Sequence, residues 1–347
     1  MEGIAEIQGI PRLLAQTLAV CRSSYEPVMR RTRWGSGPIY ICTCGALSPL
    51  GIAASYAFEW MLGWPVIVRP LAVLEHYAVS LLAPRSVFLI IAGSGNVPEA
   101  IDFARKARRR GATVLVLSSN PENPLAGVAD GFFLVKSEAP DESAVSLPCE
   151  LLAIDYLATL AARTLKRPIS LWDTINAEFD QLPSRVEWAL TQLSDAIRSL
   201  SLELKSLPNL WVVGGGFYHA PAIHAARRLR ELAGIRAEGV EASEFRRGTL
   251  ATLGRGETIL FVSSSRCRLK PEIHLAAAQS RVKAARVFSL TDRDDRELAD
   301  RSEFVLLTPS LTEVTGSVLS VTLLEWLARE VGRQPDEARR LHRRNQE

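Results

Sequence analysis

Long apolar runs, paired cysteines and a dominant sign of charge are all missing from this 347-residue sequence. No stretch is apolar for the roughly 18 residues that a membrane span needs. The opening "MEGIAEIQGIPRLLAQ" is acidic and mixed, where a secretory leader would be basic and then apolar. No membrane partner is therefore expected, and a reducing cytoplasm is the expected compartment. The cysteines, Cys21, Cys42, Cys44, Cys149 and Cys267, are odd in number and scattered, which argues against a disulfide framework. Cys42 and Cys44 flank one residue in an apolar run, so both belong on one face of a strand, and the paired CxxC spacing of a zinc site is lacking. Neither a metal nor a cofactor is expected. The 41 Lys+Arg and 38 Asp+Glu leave a formal charge of only +3. Arginine dominates the basic residues, notably in "ARKARRR" and "ARRLHRRNQE", but no aromatic residues interleave with them to stack bases, so nucleic acid is not an expected partner.

What is present reads as a soluble globular protein. Hydrophobic residues are 47% and charged residues 23%, a mixture that supplies an ample core. The length exceeds what one hydrophobic core usually organises, which predicts two domains. Short β-branched runs alternate with helical periodicity: "PIYICTCG", "SVFLIIAGSG", "TVLVLSS" and "GFFLV" with helices between them, then "NLWVVGGG", "TILFVSSSR", "RVFSLTD" and "EFVLLTPS" in the same arrangement. Each half closes on a long apolar helix, "CELLAIDYLATLAARTL" or "GSVLSVTLLEWLARE". Alternation of this kind predicts an α/β fold, a parallel sheet with helices on both faces, present twice. The repeat is of domain length, too long for a solenoid unit of about 20 to 50 residues. The expected organisation is an N-terminal helical segment over 1–34, a first domain over 35–166, a connector over 167–206 with one helix from about Pro183 to Leu204, a second domain over 207–332 and a tail over 333–347.

The segment "RELAGIRAEGVEASEFRRGTL" places twelve residues between Glu231 and Glu244 and puts Arg247 three positions further on. With Gly/Ser-rich turns after the first strands of each half, the chain resembles the double sugar isomerase (SIS) family over nearly its whole length. Within that family it is similar to phosphosugar isomerases, deglycases and the isomerase module of glucosamine-6-phosphate synthases. The resemblance implies two tandem SIS domains, each a flavodoxin-like three-layer sandwich. It also implies a phosphorylated sugar or amino sugar as ligand, and a homodimer with shared sites in which the Arg247 segment reaches a partner's pocket. Glu231 falls on the family's catalytic glutamate, Glu244 on a later motif glutamate, and Arg247 on the motif histidine.

The chemistry accounts for these residue types. Aldose–ketose isomerisation needs a carboxylate to carry a proton between adjacent carbons and a second acid/base to open the sugar ring. Arginine stays protonated, so Arg247 holds an anion but shuttles no proton. His224, seven residues before Glu231 on one helix face, and His219, in the turn before that helix, are the replacements on offer. The family's phosphate cradle corresponds to "CGALS" and "AGSGNV". There Ser94 is in register, with Gly93, Gly95 and Asn96 around it, and Ser48 stands one step late. The second half offers Ser263, Ser264 and Ser265 with Arg266, a richer set of donors that also suits a helix N-cap. Ser146 matches a family serine, with Pro148 where a lysine would stand, and Arg343, beside Arg344, matches a lysine of the closing tail. Glu75 and His76 mirror Glu244 and Phe245, an arrangement that also suits packing alone. The sequence carries no glutaminase domain with a nucleophilic cysteine, so ammonia from glutamine has no expected source. The expected function is phosphosugar isomerase or deglycase chemistry through Glu231, or sensing of a phosphosugar without turnover.

Overall fold

The structure is a computed structural model that describes residues 2–34, 37–43, 47–77, 84–93, 98–136, 146–168 and 171–333. Cys44, Ser94, Gly95, Asn96 and Arg343 lie outside the described residues. The chain divides into two units, Gly9–Ser184, and Met1–Gln8 with Arg185–Glu347.

The first unit is entered along α1 (Glu2–Val20), which passes through a π-helical turn at Cys21–Tyr25 into α2 (Glu26–Arg31). Tyr25 is buried there, its hydroxyl donating to the Leu134 carbonyl at 2.9 Å. Strands and helices then alternate: β1 (Ile39–Thr43), α3 (Ser48–Leu62), β2 (Val66–Pro70), α4 (Leu71–Tyr77), β3 (Val87–Ile91), α5 (Pro98–Arg109), β4 (Thr113–Ser118), β5 (Gly131–Leu134) and α6 (Leu147–Thr164). Every pairing is parallel, in the order β2-β1-β3-β4-β5. β1, β3 and β4 are buried along their whole length, as strands covered on both faces must be, which is why they read as unbroken apolar runs. Phe88 of β3 stacks on Tyr40 of β1 at 4.7 Å and meets Phe103 of α5 edge-on at 5.3 Å.

The second unit repeats the plan. Its elements are β6 (Asn209–Gly214), α9 (His219–Ala233), β7 (Arg236–Glu241), β8 (Thr258–Val262), α12 (Lys270–Val282), β9 (Arg286–Asp292), α13 (Arg296–Asp300), β10 (Phe304–Thr308) and α14 (Glu313–Arg333), with short helices α10 (Ala242–Glu244) and α11 (Leu250–Thr252) after β7. The sheet order β7-β6-β8-β9-β10 is again parallel and again the flavodoxin-like order. The α/β class, the parallel sheets and the duplication are as the sequence predicts.

Each sheet has one strand that the apolar pattern did not announce. β2 and β7 are edge strands with mixed burial, and "VIVRP" and "RAEGVE" lack the run of apolar residues that a central strand shows. Gly239 in β7 is required by packing: a Cβ there would lie 2.4 Å from Cα of Ile223 in α9. The connector also differs from the expectation. Two helices, α7 (Trp172–Gln192) and α8 (Ser194–Lys205), replace the single helix over Pro183–Leu204, and Pro183 lies inside α7 rather than at an edge. Among the described residues, no helix is long and apolar enough to cross a membrane.

The two closing helices, α6 and α14, are buried almost throughout, and both carry acids. Asp155 of α6 is fully buried, and neither carboxyl oxygen has a hydrogen-bond partner among the described residues. Burial alone raises its pKa well above the ordinary carboxylate value. Glu325 of α14 is equally buried but fully engaged. It meets Nε2 of His224 at 3.0 Å and accepts from Nε of Arg228 at 2.9 Å and Nε of Arg329 at 2.7 Å. Burial acts to raise its pKa, but His224 and Arg228 outweigh burial and bring it down to about 2.

These opposite environments predict opposite pH effects. Asp155 has a raised folded pKa, so its neutral form is most favourable below its unfolded pKa, 3.8, and it increasingly opposes folding as pH rises above that value. Asp155→Leu should raise the melting temperature by several degrees at pH 7.5, corresponding to about 1–3 kcal/mol, with the gain shrinking toward pH 4. For Glu325 the folded pKa is depressed, so its contribution is complete above its unfolded value of 4.5 and is lost as pH falls toward about 2. Glu325→Ala should cost about 3–5 kcal/mol near neutrality, and the gap from the parent should narrow in acid. Thermal melts across pH check both.

Candidate functional site

Glu231 stands in the last turn of α9, just before the left-handed cap at Gly234. Its carboxylate accepts from Nε of Arg227 and from Nη1 of Arg228, both at 2.6 Å, and its side chain remains 38% exposed. Partial burial acts to raise its pKa, but the hydrogen bonds and charges of the two guanidiniums prevail and lower it. The group is therefore an accessible carboxylate in its basic form at neutral pH. His224, one and two turns earlier on α9 than Arg228 and Glu231, has a different fate. It is 3% exposed and paired with Glu325. The imidazole belongs to the buried polar layer between α9 and α14.

At the other end of α9 the first residue is His219, which follows the tight turn Gly216–Tyr218 at the C-terminal end of β6. Its Nδ1 is buried and has no hydrogen-bond partner among the described residues. Burial lowers its pKa, while Glu241 and Glu244 act to raise it, so both carboxylates are near enough for their charges to be felt. Glu241 ends β7 and caps α10, its Oε2 accepting from the backbone N–H of Ser243 at 2.8 Å and of Glu244 at 3.2 Å. Its Oε1 is buried without a partner among the described residues. Glu244 and Arg247 are exposed, Arg247 within the π-helical turn Phe245–Thr249. Phe245 anchors that turn against Phe261 at 6.0 Å, and Arg246 is held by Glu272 at 2.6 Å. Glu244 and Arg247 thus lie at the C-terminal edge of the second sheet with His219. Glu231 lies at the N-terminal edge, roughly 20 Å away by the length of a six-residue strand.

The serine turn after β8 makes internal contacts of its own. Ser265 uses both its backbone N–H (2.8 Å) and its hydroxyl (2.9 Å) on Oδ2 of Asp292, at the end of β9, and its carbonyl accepts from Nζ of Lys270 at 2.6 Å. Ser263 is buried, with a marginal contact at 3.5 Å to the Ser264 carbonyl and a hydrogen bond to Cys267. Both donors of Ser265 are thus taken by a carboxylate. Ser264 keeps a buried hydroxyl without a partner among the described residues, as does one oxygen of Glu313, at the start of α14.

In the first unit, Gly93 follows β3 and its carbonyl accepts from the Ser118 hydroxyl at 2.7 Å. Ser48 opens α3 and is exposed. Ser146 is buried at the N-cap of α6, its carbonyl accepting from the Glu150 N–H at 3.0 Å. Burial pushes Glu150 up to about 7, with the Ser146 hydrogen bond acting against it. Glu75 has a peripheral contact with Lys106 at 3.6 Å, and His76 is exposed. Glu150 and Glu313, which are buried, and Glu241, which has one buried oxygen, are acids that motif reading passed over. Glu150 had a signal, an acid inside an apolar helix, whereas Glu241 and Glu313 had none in their local sequence. Among the described residues, no group of three or more His, Cys, Asp or Glu is placed to hold a metal ion.

The SIS domain model matches the chain twice, over residues 34–160 and 203–328. The glutamine–fructose-6-phosphate aminotransferase (isomerizing) of Chlorobaculum tepidum is 26% identical over 301 residues, covering 84% of this chain and 48% of the relative. Its counterpart in Methanothermobacter thermautotrophicus is 23% identical over 309 residues, covering 87% and 50%. The chain thus spans about half the length of these curated relatives. The C-terminal domain of glucosamine-fructose-6-phosphate aminotransferase from Francisella tularensis superposes with a TM-score of 0.85 at 19% identity, over 96% of this chain and 95% of that one. Tagatose-6-phosphate ketose/aldose isomerase from Escherichia coli gives a TM-score of 0.76 at 17% identity, over 96% and 93%. At such identities these likenesses concern the fold. The two SIS matches cover most of the chain, and the protein therefore belongs to the SIS domain family.

Proposed function

We propose that the protein binds a phosphorylated sugar or amino sugar and transfers a proton between its adjacent carbons, as a phosphosugar aldose–ketose isomerase or deglycase with Glu231 as the base. The observation that carries this reading is the state of Glu231, an accessible carboxylate kept ionised by Arg227 and Arg228. An enolising base must be deprotonated and reachable, and Glu231 meets both requirements. The relatives' names contribute the substrate class, ketose and aldose 6-phosphates. The phosphate is assigned to Ser94 with Gly93, Gly95, Asn96, Ser48 and Ser146, because in the second half's serine turn both donors of Ser265 are already taken by Asp292. Arg247 contributes positive charge. The remaining proton carrier near it is His219, whose Nδ1 is unpaired.

A second reading, a phosphosugar sensor without turnover, is favoured by one specific observation. The position that the motif gives to histidine is Arg247, and His224 is committed to Glu325. Among the described residues, His219 is then the histidine with a ring nitrogen left to supply ring opening.

Incubation with fructose 6-phosphate in deuterated water separates the readings. The isomerase reading expects deuterium at the carbon beside the carbonyl, abolished in Glu231→Gln with binding retained, since that change removes the base and little volume. Binding without exchange over hours leaves the sensor. His219→Gln should slow exchange from the cyclic sugar by about 10²-fold or more if its proton opens the ring.

Glu231 and Arg247 occupy opposite edges of one sheet, so a site that uses both residues draws them from two copies of the chain. A homodimer follows from this reading. Sedimentation equilibrium at micromolar concentration should give twice the 38.1 kDa mass; a monomer at all concentrations would remove Arg247 from the site.

A further inference from the structure

At the N-terminal edge of the first sheet, far along β4 from its C-terminal turn, five arginines converge on one concavity of about 680 Å³. Arg31 ends α2 and Arg33 follows it, while Arg105, Arg108 and Arg109 come from the end of α5. Thr113 opens β4 beneath them and ties the Arg33 backbone in place, its hydroxyl donating to the Arg33 carbonyl at 2.9 Å.

Internal partners account for only part of this charge. Nε of Arg108 binds Asp130 at 2.9 Å, and Asp130 is fixed by the Val114 N–H, also at 2.9 Å. Arg105 lies 3.5 Å from Asp102. Nε of Arg31 donates to the neutral Pro27 carbonyl at 3.1 Å. Arg33 and Arg109 have no charged partner among the described residues. The partial negative charge at the end of α5 favours cations there, but it does not explain why a second cationic segment, more than 70 residues earlier in sequence, is brought to the same hollow. Like charges held together in a concavity repel, and a multiply charged anion between them relieves that repulsion.

We infer that this arginine hollow is a binding site for a linear polyphosphate chain, either free or as the tail of a nucleotide. Planar guanidiniums pair with phosphate oxygens two at a time, and three of them without a carboxylate partner call for more negative charge than a single phosphate monoester carries. The lining residues include no aromatic ring, so no base is stacked and the phosphate chain alone is recognised. The inference does not rest on the phosphosugar reading: it concerns a different edge of the sheet and a ligand with no sugar requirement.

Isothermal titration calorimetry at 100 mM salt, with tripolyphosphate, ATP and AMP as separate ligands, tests the site. Tripolyphosphate and ATP should bind with similar affinity and AMP at least tenfold more weakly. ATP binding without tripolyphosphate binding would overturn the inference by showing that the nucleoside is read. Arg33→Gln with Arg109→Gln should weaken tripolyphosphate by about tenfold for each guanidinium removed. Arg236→Gln with Arg255→Gln, two exposed arginines of the second unit, should leave it unchanged. Far-UV circular dichroism confirms that both double variants remain folded. Should the hollow variant misfold, Arg109→Lys alone keeps the charge, removes the bidentate fork and should still weaken binding severalfold. No binding by the parent protein, or equal losses in the two double variants, overturns the site.

Discussion

Parallel strand direction is the constraint from which the placement of every functional group follows. A parallel strand can be joined to its neighbour only by a crossover that returns along the whole sheet. Each helix therefore begins at the C-terminal edge of its sheet and ends at the opposite edge. α9 shows the consequence within 13 residues: His219 at its start belongs to the edge that holds Glu241, Glu244 and Arg247, and Glu231 at its end belongs to the other. The motif glutamate and the motif arginine are close in sequence and remote in the fold. Such a separation in one chain is what a site shared between copies would require.

Burial of acids in the two closing helices shows how strongly partners decide the meaning of a buried charge. Glu325 and Asp155 are both without solvent contact. One receives His224, Arg228 and Arg329, which bring its pKa down to about 2; the other receives nothing from the described residues, and burial raises its pKa well above the ordinary value. The same rule runs through the candidate site. Two arginines lower the pKa of Glu231, whereas burial pushes that of Glu150, on the same helix as Asp155, up to about 7. Asp292 accepts both donors of Ser265. In each case the deciding group is a neighbour in space from a different element or a different turn.

The apolar runs and their periods determine much of this protein. Strands β1, β3, β4, β6, β8 and β9 are legible because central strands covered on both faces are largely apolar, and the edge strands β5 and β10 are legible because "GFFLV" and "EFVLLTPS" still carry apolar runs. β2 and β7 were not legible: "VIVRP" offers only three apolar residues and "RAEGVE" alternates polar and small residues, as an edge strand can. The spacing of Glu231, Glu244 and Arg247 was read directly, as was the departure of Arg247 from the motif. The roles of individual side chains were decided by tertiary structure. Helical spacing puts His224, Arg228 and Glu231 along one side of α9, but only the arrival of Glu325, about 100 residues later, turns His224 into a structural residue. Asp292 reaches Ser265 from 27 residues away, and Arg31 and Arg33 meet the arginines of α5 across a strand order that no local window contains. Local periodicity specifies which face of an element is apolar; which distant polar group meets it is specified by topology, because the crossovers of a parallel sheet make neighbours of residues that the sequence keeps far apart.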